Sequence, residues 1–255
     1  MKIATWNVNS LRVRLPHLLD WLAANSPDAM CLQETKCEDA TFPAGELTQA
    51  GYCSIHHGQR TYNGVAILAR NAAAEVRRGI PEFADEQSRV IAAEVGGILI
   101  VSVYVPNGQS VGSDKYAYKL RWFEALTAWL EAELVTRGRI AVLGDFNVAP
   151  EDRDVHDPQA WAGQVLFSEP EKSALRRLAG IGFVDSFRLF EQPEKSFSWW
   201  DYRMGAFRRN MGLRIDHVLL SPDLAGACRS CSIDVAPRRL ERPSDHAPLL
   251  CEIEV

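Results

Sequence analysis

The chain has 255 residues, 47% of them hydrophobic and 24% charged, with a formal net charge of −5. That is enough apolar material for a sizeable core, and the acidic balance excludes a histone-like coating protein while leaving room for a localised basic face. The six cysteines include one close pair, Cys228 and Cys231, but not the second pair that a structural zinc site needs, so free thiols in a reducing cytoplasm are expected.

From the N-terminus, Met1–Val8 alternates like a strand and not like a secretory leader, and no apolar run reaches membrane-spanning length. The predicted strands are Ile3–Trp6, Ala29–Leu32, Val65–Ala69, Val90–Val95, Ile98–Val103, Ile140–Leu143, Ile215–Leu220 and Leu249–Ile253. Between the first two, Leu11, Leu15, Leu18, Leu19 and Leu22 form a helical stripe, with Ser10 as its expected cap. A second stripe runs through Leu120, Phe123, Leu126, Leu130 and Leu134, with Gly138 as its stop, and Pro170 opens a third helix over Glu171–Leu178. No linker-like tract interrupts the pattern. Residues 1–255 therefore read as one domain of mixed α/β class with more than one sheet layer.

The placement of polar residues adds a constraint. Asn7, Glu34, Tyr104 and Asp145 stand just after apolar runs, whereas Asp216 and His246 stand at the start of theirs. One strand's end meets another's start only between strands of opposite direction. Mixed or antiparallel sheets with a shared site along one edge are expected.

Three motifs supply that site: Leu32-Gln33-Glu34-Thr35-Lys36, Gly144-Asp145-Phe146-Asn147 and Ser244-Asp245-His246. Carboxylates beside a dry core are costly unless paired, hydrogen-bonded or metal-bound. Magnesium takes few protein carboxylates and completes its shell with water and phosphate; Glu34, with Asn7 as a carbonyl donor, fits that sparse demand. Asp145 and Asn147 would share one face of an extended segment, the first handling water and the second donating to a phosphate oxygen. His246 can move protons or stabilise charge near neutral pH, held by either Asp216 or Asp245. Each motif alone has a plainer reading, as a turn, a helix cap or a surface ion pair between Glu34 and Lys36. Their joint placement at strand ends favours metal-assisted phosphodiester hydrolysis.

These residues, with Asp185-Ser186-Phe187-Arg188, Phe197-Ser198-Trp199-Trp200-Asp201-Tyr202-Arg203 and Asn210–Ser221, resemble the exonuclease III family of apurinic/apyrimidinic (AP) endonucleases. The resemblance runs from Ile3 to about Pro248 and implies a four-layer α-β-β-α sandwich of two sheets flanked by helices. It further implies that Glu34 and Asn7 bind the metal, Mg2+ or in its place Mn2+, with Asp245 supporting it. Tyr104, Asn107 and Asn147 would contact the scissile phosphate, Asp145 would activate water, and Asp216 and His246 would act as a pair. The implied partner is duplex DNA with abasic or 3′-blocked lesions, handled by a monomer without a membrane.

Contacts to DNA are expected from Lys36, Arg89, Gln109, Lys115, Lys119, Arg203, Arg208, Arg209 and Arg214, with Trp199, Trp200 and Leu213 as an apolar slot and one tryptophan in the core. Two competing readings are a silent binding module of the same fold, which would have no reason to keep the whole catalytic set, and a lipid or inositol phosphodiesterase. One departure bears on preference: Val165-Leu166-Phe167-Ser168 is bulkier than usual in the family. Projecting at the rim of the sugar pocket, it would favour 3′-end cleaning over internal incision; turned inward, Leu166 and Phe167 would instead be core.

Overall fold

The computed structural model describes residues 1–255. In chain order the strands are β1 (Lys2–Asn7), β2 (Ala29–Gln33), β3 (Cys53–His57), β4 (Val65–Ala69), β5 (Ala74–Arg78), β6 (Val90–Val95) and β7 (Ile98–Tyr104). They continue as β8 (Ile140–Asp145), β9 (Val184–Asp185), β10 (Trp199–Trp200), β11 (Gly212–Leu213), β12 (Asp216–Leu220), β13 (Cys228–Ile233) and β14 (Leu249–Ile253). The helices are α1 (Leu11–Asn25), α2 (Ala44–Gln49), α3 (Asp114–Thr136), α4 (Pro158–Trp161), α5 (Glu169–Gly180) and α6 (Pro222–Ala227).

Two six-stranded mixed sheets result, ordered β13-β14-β1-β2-β4-β3 and β5-β6-β7-β8-β12-β9, with β10-β11 as a separate ribbon. Only β1–β2 and β7–β8 are parallel pairs; all other neighbours are antiparallel. The central strands bury both faces, which is why they read as unbroken apolar runs. Along β1, Ile3 enters the layer between the sheets with Ile67, Ile100 and Leu143, while Ala4 and Trp6 pack outward with Leu18 and Leu22 of α1. Along β8, Ala141 and Leu143 face the shared layer, while Ile140 and Val142 meet Phe123, Leu126 and Leu130 of α3 and Leu178 of α5. The architecture is the expected four-layer sandwich.

The strands absent from the sequence reading are the four sheet edges, β3, β5, β9 and β13, and the ribbon. An edge strand lacks a neighbour on one side, so its apolar signal is diluted: β5, with four of its five residues exposed, is the extreme case. Two helix ends also differ from expectation. Ser10 sits at the N-cap with φ 87° and makes no capping bond through its side chain. The first turn of α1 is instead docked on the Glu34 segment, through Ser10 N–H to Glu34 O (2.7 Å) and Leu11 N–H to Thr35 O (3.0 Å). Helix α3 ends at Thr136 in an extended Arg137, and Gly138 takes no left-handed stop. Helix α5 has Pro170 in its first turn as expected but runs two residues further at each end than read, from a reciprocal Ser168–Glu171 cap to Gly180.

Candidate active site

The inner-face residues of the central strands change from apolar to polar toward one end of the sandwich. Ile3 and Thr5 lead to Asn7, Ala29 and Cys31 to Gln33, Ile100 and Ser102 to Tyr104, and Ala141 and Leu143 to Asp145. On β12, running the other way, Leu220 and Val218 lead to Asp216. Register aligns the ends: Asn7 lies beside Gln33, and Asp145 beside both Tyr104 and Asp216. Period-two alternation thus delivers a polar row from each sheet to the same mouth.

Across that mouth, the Asn7 amide donates to Glu34 Oε1 (2.9 Å) and to Asp145 Oδ2 (2.9 Å). His246 Nδ1 donates to Asp216 Oδ2 (2.9 Å), and its Nε2 lies 3.7 Å from Asp145 Oδ2. Asp216, and not Asp245, is therefore the histidine's partner. Asp245 accepts from Asn9 Nδ2 (2.9 Å) and Trp199 Nε1 (3.0 Å), which occupies both its oxygens. Glu34, Asp145 and His246 each offer a ligand atom, all within 4.8 Å of one another. The two carboxylates supply hard oxygens that suit a divalent cation, whereas the imidazole is held by Asp216. Asp216 Oδ1, buried without a hydrogen-bond partner, marks unused acceptor capacity beside it. Asn7 turns its nitrogen to the carboxylates while its oxygen accepts from Asn9 N–H (3.0 Å), so direct ligation through oxygen requires the amide to turn over.

Burial opposes charge on His246, but Asp216 and Asp145 outweigh it and hold the imidazolium up to about 10. Burial dominates at Asp145 and raises it to about 7, with the positive histidine opposing and Asp216 adding to the rise. Tyr104 is pushed well above its ordinary value by burial, then by Glu34 and Asp145. Asp245 is also buried, but His246, Asn9 and Trp199 bring it below the usual range.

The loops carrying these groups are bent in an uncommon way. Glu34, Lys36 and Asn147 each have φ 50°, a left-handed conformation costing ~1–3 kcal/mol per residue without glycine's freedom, and one concentrated at functional sites. Asn147 N–H donates to Asp145 Oδ1 (2.9 Å), so the Asp-x-Asn segment is a tight turn and not the extended stretch expected. Before it, Gly144 passes so close to β7 that a Cβ would stand 1.9 Å from Val103 O. Asn107 Nδ2 reaches Asn147 Oδ1 (3.2 Å), bringing the two amides together.

The surface candidates divide. Asn107, Gln109, Lys115, Arg203, Arg208 and Arg209 are exposed, and Asn107 is tied to Asn147 at the mouth. Lys36 is half-buried and paired with Glu34 (2.8 Å), so the plain ion-pair reading of those two also holds. Arg89 lies over the Tyr104 ring at 4.6 Å. Arg214 and Lys119 are fully buried and cannot meet DNA. Arg214 is taken up by Asp154 and Asp185, because a charge under a sheet must be paired. Trp200 is the core tryptophan, and Trp199 is half-exposed and bridged to His246. Leu213, Leu166 and Phe167 turn inward with Ala149, Val155 and Ile215, so none projects at a rim. Their size and apolarity make burial the favourable outcome.

Asn9, Arg14, Tyr202 and Ser244 escaped the sequence reading. Asn9 accepts from Lys36 (2.6 Å), Arg14 joins Tyr202 (3.0 Å), and Ser244 Oγ donates to Asn7 O (2.6 Å). Ser244 and Tyr202 had a signal, their places in the Ser-Asp-His and aromatic motifs; Asn9 and Arg14 had none. Met204, next to Arg203 in the chain, is 76% exposed.

Residues 4–246 match the Endonuclease/Exonuclease/phosphatase family. Over the full length of both proteins the chain is 37% identical to exodeoxyribonuclease III of Haemophilus influenzae. Two solved structures cover both chains completely: the 3′ phosphatase NExo from Neisseria, bound to a product DNA hairpin (TM-score 0.98, 44% identity), and an AP endonuclease from Archaeoglobus fulgidus (TM-score 0.96, 38% identity). With the matching fold and the carboxylate–histidine mouth, the chain belongs to the exonuclease III group of the endonuclease/exonuclease/phosphatase family.

Proposed function

We propose that this protein is a DNA-repair nuclease that hydrolyses phosphate esters at abasic sites and blocked 3′ ends of duplex DNA, with Mg2+ as its cation and Mn2+ able to replace it. The observation that carries this reading is the buried Asp145–His246–Asp216 chain facing Glu34 across the inter-sheet mouth. Glu34 would hold the cation, with Asn7 beside it and Asp145 lining the far side. Bound there, the ion supplies positive charge against the phosphate and its leaving oxygen.

The chain's own groups divide the remaining work. Asp145, with a pKa near neutrality, suits acceptance of a proton from the attacking water. His246, kept protonated by Asp216, presents positive charge where the pentacoordinate phosphorus gathers negative charge. The amides of Asn147 and Asn107 and the Tyr104 hydroxyl are the neutral donors for phosphate oxygens. Trp199 offers an aromatic face beside His246 for a base-free sugar, and Asp245 steadies that ring through the indole nitrogen. Lys36, Arg89, Gln109, Lys115, Arg203, Arg208 and Arg209 would track the flanking phosphates, and Met204 would press into the groove.

A bias toward 3′-end processing is supported by the 44% identity to a 3′ phosphatase, not by Leu166 and Phe167, which are buried. Residues 1–255 would act as one catalytic unit, a monomer in the cytoplasm; no helix is long and apolar enough to cross a membrane. Matched duplexes carrying an internal abasic site, a 3′-phosphate nick or no lesion test the reading on one gel. Metal-dependent processing of the lesions to 3′-hydroxyl ends is expected, fastest at the 3′-phosphate. Release of phosphate from lipid headgroups with none from DNA would refute it.

A further inference from the structure

Lys119, on the inner face of α3, is fully buried, as is its partner Glu171 at the start of α5. Its ammonium has three N–H donors, and each is used. One goes to Glu171, one to the main-chain carbonyl of Asn147 (2.7 Å) and one to that of Asn107 (3.1 Å). No donor is left for a phosphate. Glu171 is saturated in turn by Lys119, Leu166 N–H (3.1 Å), Ser168 N–H (3.1 Å) and the Ser168 hydroxyl.

The two carbonyls belong to the two amides that face the mouth. With Asn147 N–H on Asp145, its Nδ2 on Val105 O (2.9 Å) and its Oδ1 taking Asn107 Nδ2, the Lys119 contact fixes the last polar group of Asn147. The same contact ties the Asn107 loop to the Asn147 turn, which is held at φ 50°. Hydrogen bonding to a carbonyl behind a strained turn is a way to hold that turn in place.

The geometry points to Lys119 as a positioning residue: together with Glu171 it sets the amides of Asn107 and Asn147 for the phosphate without touching substrate. The inference rests on the nuclease reading above. The test is the double variant Lys119→Met with Glu171→Leu, which removes the pair without leaving a lone buried charge. The prediction is a lowered melting temperature in a protein still folded at assay temperature, because the Asn107 and Asn147 carbonyls and the Leu166 and Ser168 N–H groups lose their partners, with kcat on a 3′-phosphate duplex down about a hundredfold and KM within about twofold, the scale of loss expected from misplacing catalytic groups. In an Asn147→Ala background the same replacement is expected to cost little more, because groups acting as a unit are not additive.

If the double variant does not fold, Lys119→Arg keeps the charge and the Glu171 partner but not the compact head that reaches both carbonyls, and the same fall in kcat is expected. Wild-type kcat in whichever variant folds would overturn the role while leaving the nuclease reading intact. An unmodified protein inactive on every duplex would overturn both.

Discussion

At the scale of single residues, the proposed site was legible where its members interrupt an alternating strand pattern. Asn7, Tyr104, Asp145 and Asp216 occupy the next inner-face position after two apolar or small neighbours, and a polar group there has no cheap alternative to a shared site. Arg214 and Lys119 were misread for the converse reason. Cations default to the surface, and their buried partners Asp154, Asp185 and Glu171 are distant in sequence. The choice between Asp216 and Asp245 for His246 also needed the fold. That choice yields a test: because the Asp216 carboxylate pulls His246 upward most strongly, Asp216→Asn is expected to bring the imidazole down from about 10 toward 6.5, read by NMR titration. An unmoved histidine pKa would assign the pull elsewhere.

At the scale of elements, strand β12 is held from behind by a buried network. Arg214 lies between Asp154 (2.6 Å) and Asp185 (2.8 Å) and donates to His217 Nδ1 (2.9 Å), while His217 Nε2 donates to Val148 O (2.9 Å). Burial, then the Arg214 charge, lowers the pKa of His217 and keeps it neutral; Asp185, buried but facing Arg214, is also lowered. The signs follow. For His217, the unfolded chain takes up a proton below 6.5 while the folded one does not, so stability falls as pH drops from 6.5 toward the lower folded value. For Asp185, stability is present above 3.8 and is lost as pH falls through its lowered folded value. His217→Gln is therefore expected to flatten the loss between pH 6.5 and 5 in denaturation curves, about where free histidine titrates, and to leave the loss below pH 4 in place. An unchanged slope would contradict this.

The turn at the end of β8 carries a second prediction at this scale. Gly144→Ala would drive a Cβ against Val103 O, at 1.9 Å, and the β7–β8 pair must separate. Lost folding, or a melting temperature lower by about 4 °C or more and a displaced Asp145, is expected from the ~1–3 kcal/mol scale of such overpacking. The glycine stood in the sequence motif, but nothing there distinguished a close approach from a flexible turn. Edge strands were similarly silent, whereas β4 and β6, buried on both faces, and β14, inside its sheet, were read to the residue.

At the scale of the molecule, a chain of net charge −5 is proposed to hold a polyanion. Arg203, Arg208 and Arg209 are exposed on one short segment, Arg203 in a pair with Asp201, while Asp145 and Asp216 are buried and Glu34 is paired with Lys36. Binding is then expected to weaken with salt, and Arg208→Ala and Arg209→Ala are each expected to reduce the log–log slope by about 0.9, the loss of one phosphate contact. An unchanged slope in both would move the DNA track elsewhere. The fold class was legible from the order of apolar runs. The exposed segment of Arg203, Arg208 and Arg209 was legible as well, but not the burial of Lys119 and Arg214 among the same candidates.

The account turns on one claim, that the inter-sheet mouth hydrolyses DNA through Asp145. The direct measurement is single-turnover cleavage of a 3′-phosphate duplex by the unmodified protein and by Asp145→Asn, with binding to the same duplex measured in parallel, each with Mg2+ and with a chelator. The account predicts rapid processing only by the unmodified protein with Mg2+, and binding by both proteins within about threefold, since Asp145 lies in the buried mouth and away from the exposed phosphate track. Full cleavage by Asp145→Asn, or by the unmodified protein under chelation, would contradict it.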